Sequence, residues 1–92
     1  MIFNLIDKPD DLEFLNQELL QSSHVGVDTE FRRTTKDNMK LSLIQVNDGE
    51  EIYLIDCLQI DYKEENCNFL FSKDVIKIFH SCKEDLEAVF SW

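Results

Sequence analysis

Apolar and polar positions along this chain follow two periods, and the changes from one to the other mark out its elements. Ile2, Phe3, Leu5 and Ile6 read as a short opening strand. Asp7, Pro9, Asp10 and Asp11 come next, with proline where a first turn tolerates it and acids where the helix dipole is positive. Leu12, Leu15 and Leu19 then recur at helical spacing, widened by Leu20, so a helix is predicted from about Lys8 to Gln21. Ser22, Ser23 and His24 end it.

The period drops to two over residues 25–31, with Val25, Val27, Thr29 and Phe31 on one face and Gly26, Asp28 and Glu30 on the other. Leu41 to Val46 and Glu51 to Ile55 read as two more strands, joined by a hairpin turn at Asn47, Asp48, Gly49 and Glu50. These three should form an antiparallel meander. Residues 56–72 mix apolar positions with the solvated run Lys63 to Asn66, and a helix is expected there. Val75 to Phe79 reads as a buried strand. Ser81 with Glu84 three residues on has the form of a capping box, starting a helix at Cys82 with Leu86, Val89 and Phe90 as its apolar stripe. That pattern is still running at Trp92, without a closing glycine or basic last turn, so the chain is expected to be part of a longer domain.

Composition narrows the class. With 43% hydrophobic residues, 2 Gly and 1 Pro in 92 residues, the chain can build one core and is neither fibrous nor disordered. No run nears the roughly 18 apolar residues of a membrane helix, and the first residues lack a secretory signal's basic start, so a cytoplasmic location is expected. Cys57, Cys67 and Cys82 fit neither a disulfide framework nor paired zinc spacing and are expected to be buried thiols. A formal charge of −10 argues against holding nucleic acid by net attraction. A polyanion would need divalent cations or a local basic patch.

Candidates for both are present. Asp28 and Glu30, two apart on one strand face, have backbones about 6.6 Å apart and can reach one cluster of hard divalent ions. Two such ions about 3.5–4 Å apart can clamp the attacking and leaving oxygens of a phosphodiester. Asp85, in the first turns of the last helix, is a third candidate, expected to converge on the same sheet end. The plainer alternative is that these acids decorate a solvated face. Residues 32–40 hold Arg32, Arg33, Lys36 and Lys40, four of the nine basic residues, and offer phosphate contacts or an ordinary solvated loop. His80, between strand and helix, is either packed or at the edge of the site. Phe31, Tyr53 and Phe79 are better read as core than as base-stacking groups.

Val27-Asp28-Thr29-Glu30-Phe31 resembles the first exonuclease motif of the DEDD superfamily of 3′-5′ exonucleases, and residues 77–87, ending Glu84-Asp85-Leu86-Glu87, resemble the second. Leu43-Ile44-Gln45 and Leu54-Ile55-Asp56 between them resemble ribonuclease D in particular. The resemblance implies an α/β, ribonuclease H-like fold: a mixed sheet of three antiparallel strands then a parallel one, with flanking helices, here incomplete. It implies that Asp28, Glu30 and Asp85 are catalytic, metal-holding carboxylates for two Mg²⁺ or Mn²⁺ ions. A fourth carboxylate and a water-positioning tyrosine would lie past Trp92, so residues 1–92 correspond to the N-terminal portion of one exonuclease domain. Arg32, Arg33, Lys36 and Lys40, through their local positive charge in an acidic chain, are candidate nucleic-acid contacts together with Gln45 and His80.

The expected activity is therefore hydrolysis of phosphodiesters at RNA 3′ ends, as in maturation of transfer RNA and other structured RNAs, with single-stranded DNA as the rival substrate. By itself the chain is expected to be inactive or nearly so, which leaves a complementing C-terminal chain as a partner. Two other classes stay open: a non-catalytic remnant that binds nucleic acid or a protein, and an acidic structural module.

Overall fold

The computed structural model describes residues 2–35 and 38–92, with backbone alone for Ile2, residues 33–35, Asn38 and Cys82. Five strands, β1 (Ile2–Ile6), β2 (His24–Thr35), β3 (Asn38–Asn47), β4 (Glu51–Asp56) and β5 (Ile76–Phe79), form one sheet in the order β1-β4-β3-β2-β5. β2, β3 and β4 are the expected antiparallel meander, while β5 runs parallel to β2 and β1 runs parallel to β4. Helices α1 (Pro9–Leu19), α2 (Asn68–Phe71) and α3 (Cys82–Ser91), with a 3-10 turn at Glu64–Asn66, flank the sheet.

The two sheet faces differ in kind. Val25, Val27, Ile44, Val46 and Ile55 are buried and join Leu12, Leu15 and Leu19 of α1, Phe69 and Leu70 of α2 and Ala88 and Val89 of α3 in one core. α1 packs on the 3-10 turn and α2, and α3 packs on β2, β3 and β5. Strand alternation puts Gly26, Asp28 and Glu30 of β2 on the opposite face, beside Asn47, Gln45 and Leu43 of β3. That open face also carries Phe3 and Leu5 on one edge and Ile76 and Ile78 on the other, all more than half exposed.

Polar side chains fix the joints. Asn16, fully buried on α1, donates Nδ2 to the Glu65 carbonyl at 3.1 Å and accepts the Phe69 N–H at 3.0 Å, tying α1 to the 3-10 turn and α2. In the β3–β4 turn Asn47 Oδ1 accepts the Gly49 N–H and Asp48 Oδ1 those of Glu50 and Glu51, while Gly49 takes the positive φ of 98° that a Cβ would oppose.

Several expectations are corrected. Residues 32–40 do not form a loop: β2 and β3 extend through most of them as a two-stranded ribbon, with Lys36 and Asp37 outside the described residues. β5 is an edge strand rather than a buried one, with Ile76 and Ile78 turned to the open face. The helix expected between residues 56 and 72 is a 3-10 turn and a four-residue α2. The inward face of α3 is Asp85, Ala88 and Val89, at helical spacing, so Leu86 and Phe90 are exposed. No side chain caps α3 in the expected Ser81–Glu84 box; Asp85 instead reaches back to the Ser81 N–H. Cys57 and Cys67 are buried free thiols, and the Cys82 side chain lies outside the described set.

Candidate active site

Asp28 and Glu30 are delivered to the open face by the alternation of β2, whose other face is anchored by Val25, Val27 and Thr29. Asp28 is half-buried and turns Oδ1 onto the next residue's N–H, Thr29, at 3.0 Å. Glu30 is exposed. Opposite Asp28 on β3 stands Gln45, and a groove of about 420 Å³ runs beside them, lined by Gly26, Asp28, Gln45, Asn47, Ile78 and His80 among others. Three of the sequence-derived site residues, Asp28, Gln45 and His80, therefore share one concave surface. Gly26 and Asn47 were not anticipated, and their only sequence signal is their place on the acid-bearing side of the alternation.

Asp85 takes a different position. It is 2% exposed, its Oδ1 accepts the Thr29 hydroxyl at 2.5 Å, and its Oδ2 accepts the Ser81 N–H at 3.0 Å. Thr29 points to the core side of β2, so Asp85 is gripped behind the strand that shows Asp28 and Glu30 in front. Among the described residues no three Asp, Glu, His or Cys side chains stand together as a metal-holding group. Both Asp85 oxygens are thus engaged, one by Thr29 and the other by the start of α3. Thr29 was read from the alternation as a core residue, and it is one; the clue to its second role is a hydroxyl within an otherwise apolar stripe.

The donor set in front of β2 suits a hard divalent ion. Mg²⁺ keeps several waters and is commonly bound by one or two carboxylates plus substrate phosphates, which is the set that Asp28 and Glu30 offer. Arg32 follows Glu30 on β2 and is exposed, with Lys40 opposite it on β3. The Arg33 side chain and all of Lys36 lie outside the described residues. His80 is exposed at the end of β5. Phe31, Tyr53 and Phe79 pack against the core, as the sequence suggested.

Comparison with known proteins places this geometry. A family model described as a 3′-5′ exonuclease matches residues 3–91. Ribonuclease D of Musicola paradisiaca (strain Ech703) is 38% identical over 88 residues, 96% of this chain and 24% of that protein. Ribonuclease D of Haemophilus influenzae is 47% identical over 66 residues, 72% of this chain and 16% of that protein. The crystal structure of Escherichia coli RNase D, described as an exoribonuclease involved in structured RNA processing, superposes with a TM-score of 0.85 at 32% identity, covering 98% of this chain and 24% of that one. The chain thus spans about a quarter or less of the length of these relatives. Its sheet order and helices are those of the ribonuclease H-like exonuclease fold, and the match runs nearly from end to end: the chain belongs to the 3′-5′ exonuclease family, on its ribonuclease D side.

Proposed function

We propose that this chain contributes the metal-holding strand of a 3′-5′ exoribonuclease, acting on RNA 3′ ends with Mg²⁺ or Mn²⁺. The observation that carries this is the acid pair on the open face of β2, inside a family match that covers residues 3–91. Asp28 and Glu30 hold the ion, which when bound supplies charge stabilisation to the phosphodiester and acidifies a water. Asp85, buried behind them, fixes the start of α3 against β2 through Thr29 and Ser81 and so sets the pitch of the strand that presents the pair. Gln45, His80, Arg32, Arg33, Lys36 and Lys40 are the contacts proposed for the nucleic acid.

RNA is favoured over single-stranded DNA because the relatives are ribonucleases, and transfer RNA or other structured RNA is the proposed class. The groups on the open face do not by themselves read a 2′-hydroxyl. Two carboxylates facing the open side bind the ion more weakly than a fuller set would. Without a water-positioning group a further loss of roughly 10²–10⁴-fold is expected. The 92 residues alone are therefore proposed to be inactive or nearly so, with a complementing C-terminal chain as the partner that restores turnover.

Mn²⁺ titration of the chain followed by electron paramagnetic resonance tests the metal site. Saturable binding that is lost in Asp28→Asn and Glu30→Gln is expected. Unaltered binding in both variants would remove the acid pair from the site. Robust nucleotide release from a 3′-labelled RNA by the isolated chain would overturn the proposed dependence on a partner.

A further inference from the structure

The ribbon beyond the acid pair carries an arrangement of its own. Glu30 pairs with Leu43 and Phe31 with Leu41, so Ser42 is an extra residue on β3, a bulge closed by its hydroxyl donating to the Glu30 carbonyl at 2.9 Å. Slipping a strand by one residue reverses which side each side chain faces. Here the bulge returns Leu41 to the core beside Phe31 and turns Lys40, with its partner Arg32, onto the face that bears Asp28 and Glu30. Leu41 is 2% exposed, whereas Arg32 and Lys40 are both exposed.

Like charges set directly opposite each other across two strands repel and destabilise the ribbon. No hydrogen bond or ion pair to another described residue relieves either one. Among the described side chains of the open sheet face these two are the only Lys or Arg, in a chain of net charge −10. Arg32 stands about 6.6 Å along β2 from Glu30 and about 13 Å from Asp28, a reach on the scale of one or two nucleotide steps. An anion lying between Arg32 and Lys40 would remove their repulsion and would sit on the same face as any phosphate held at the acids.

We propose that Arg32 and Lys40 form a second phosphate seat on the acid-bearing face, so that this site takes a single-stranded polynucleotide carrying a phosphate beyond the one at Asp28 and Glu30, rather than a dinucleotide. This rests on the exonuclease reading of that face. The seat contacts phosphate alone, so it adds affinity without reading sequence.

The test compares a 5′-labelled oligouridylate with labelled pUpU by fluorescence anisotropy, using the whole chain in EDTA so that no ion bridges RNA to the acids. Two contacts to a single strand, at a salt slope of about −0.7 each, contribute a factor of roughly sevenfold to the weakening of oligouridylate binding when salt rises from about 50 to about 200 mM. Arg32→Gln/Lys40→Gln should remove that roughly sevenfold share of the salt dependence and most of the preference for oligouridylate over pUpU, whereas Arg32→Lys/Lys40→Arg should retain both. Asp28→Asn/Glu30→Gln, which removes negative charge from the face, should bind the oligouridylate as well as or better than the parent chain. Equal affinity and salt slope in the parent and the glutamine variant would overturn the seat, as would absence of any oligouridylate binding by the parent chain. Either result leaves Mn²⁺ binding by Asp28 and Glu30 untouched, so failure of the seat and failure of the exonuclease reading are told apart.

Discussion

The grip of Thr29 on Asp85 joins the fold to the acid pair, and its strength can be worked out. The bond is 2.5 Å long, between a carboxylate that is 2% exposed and a hydroxyl on a residue 7% exposed. A hydrogen bond to a charged acceptor contributes about 1.5–3 kcal/mol net, because loss of the donor leaves a buried charge less well satisfied. Thr29→Val keeps the side-chain shape and removes only that donor, so it should cost about 1.5–3 kcal/mol. In a domain of this size that lowers the melting temperature by roughly 6–24 °C. Asp85→Ala also removes the acceptor for the Ser81 N–H at the start of α3, a cap-like contact of about 0.5–2 kcal/mol, for a total of about 2–5 kcal/mol. With Asp85 gone, Thr29→Val should add almost nothing, giving a coupling energy of about 1.5–3 kcal/mol in the double-mutant cycle. Urea unfolding of the four proteins, followed by fluorescence of the single tryptophan, Trp92, measures it. A coupling below about 0.5 kcal/mol would show that the two side chains do not act as a unit and would free Asp85 for another role.

Further outcomes are expected from the joints of the fold. Asn16→Ala should destabilise the chain by about 2–5 kcal/mol in urea unfolding, since it strands the Phe69 N–H and the Glu65 carbonyl. Gly49→Ala, at a φ of 98°, should cost roughly 1 kcal/mol with little change in denaturant slope, and an unchanged midpoint would count against the strained turn. Burial pushes the Cys57 and Cys67 thiols up from 9.0 to about 12, so the folded chain keeps protons that the unfolded chain sheds. Their contribution is intact below about pH 9 and is lost as pH rises toward about 12, while Lys77, lowered by burial, opposes this below its unfolded 10.5. Urea midpoints should fall from about pH 8 to about pH 10, less steeply in Cys57→Ala/Cys67→Ala; an equal fall in that variant would assign the alkaline loss to other groups.

Much of this was legible from periodicity. Leu12, Leu15 and Leu19 mark the inner face of α1, and the alternation from Val25 to Phe31 separates core from acids in β2. What escaped has physical causes. The Ser42 bulge shifts register by one residue, and no composition signal at residues 32–40 distinguishes a ribbon from a loop. Leu86 and Phe90 looked like the stripe of α3 because they are apolar, yet the helix buries Asp85, Ala88 and Val89, an inward face that includes a charge. Asn16 and Thr29 hide among leucines and valines, where a polar residue's partner, distant in sequence, cannot be read from spacing. The partners of Asp85, the Thr29 hydroxyl and the Ser81 N–H, depend on which side of β2 the helix covers.

That side matters for how the site is built. The two faces of β2 do different work: Val25 and Val27 lock it into the core, while Gly26, Asp28, Glu30 and Arg32 face outward. A buried aspartate would ordinarily be a liability among such neighbours, since an unsatisfied charge there is costly. Asp85 is tolerated because Thr29 and the Ser81 N–H both donate to it, and those same two bonds tie the first turn of α3 to the residue between the two acids. Any change in the seating of α3 must therefore be felt at Asp28 and Glu30, which makes the start of this helix a structural support of the acid pair.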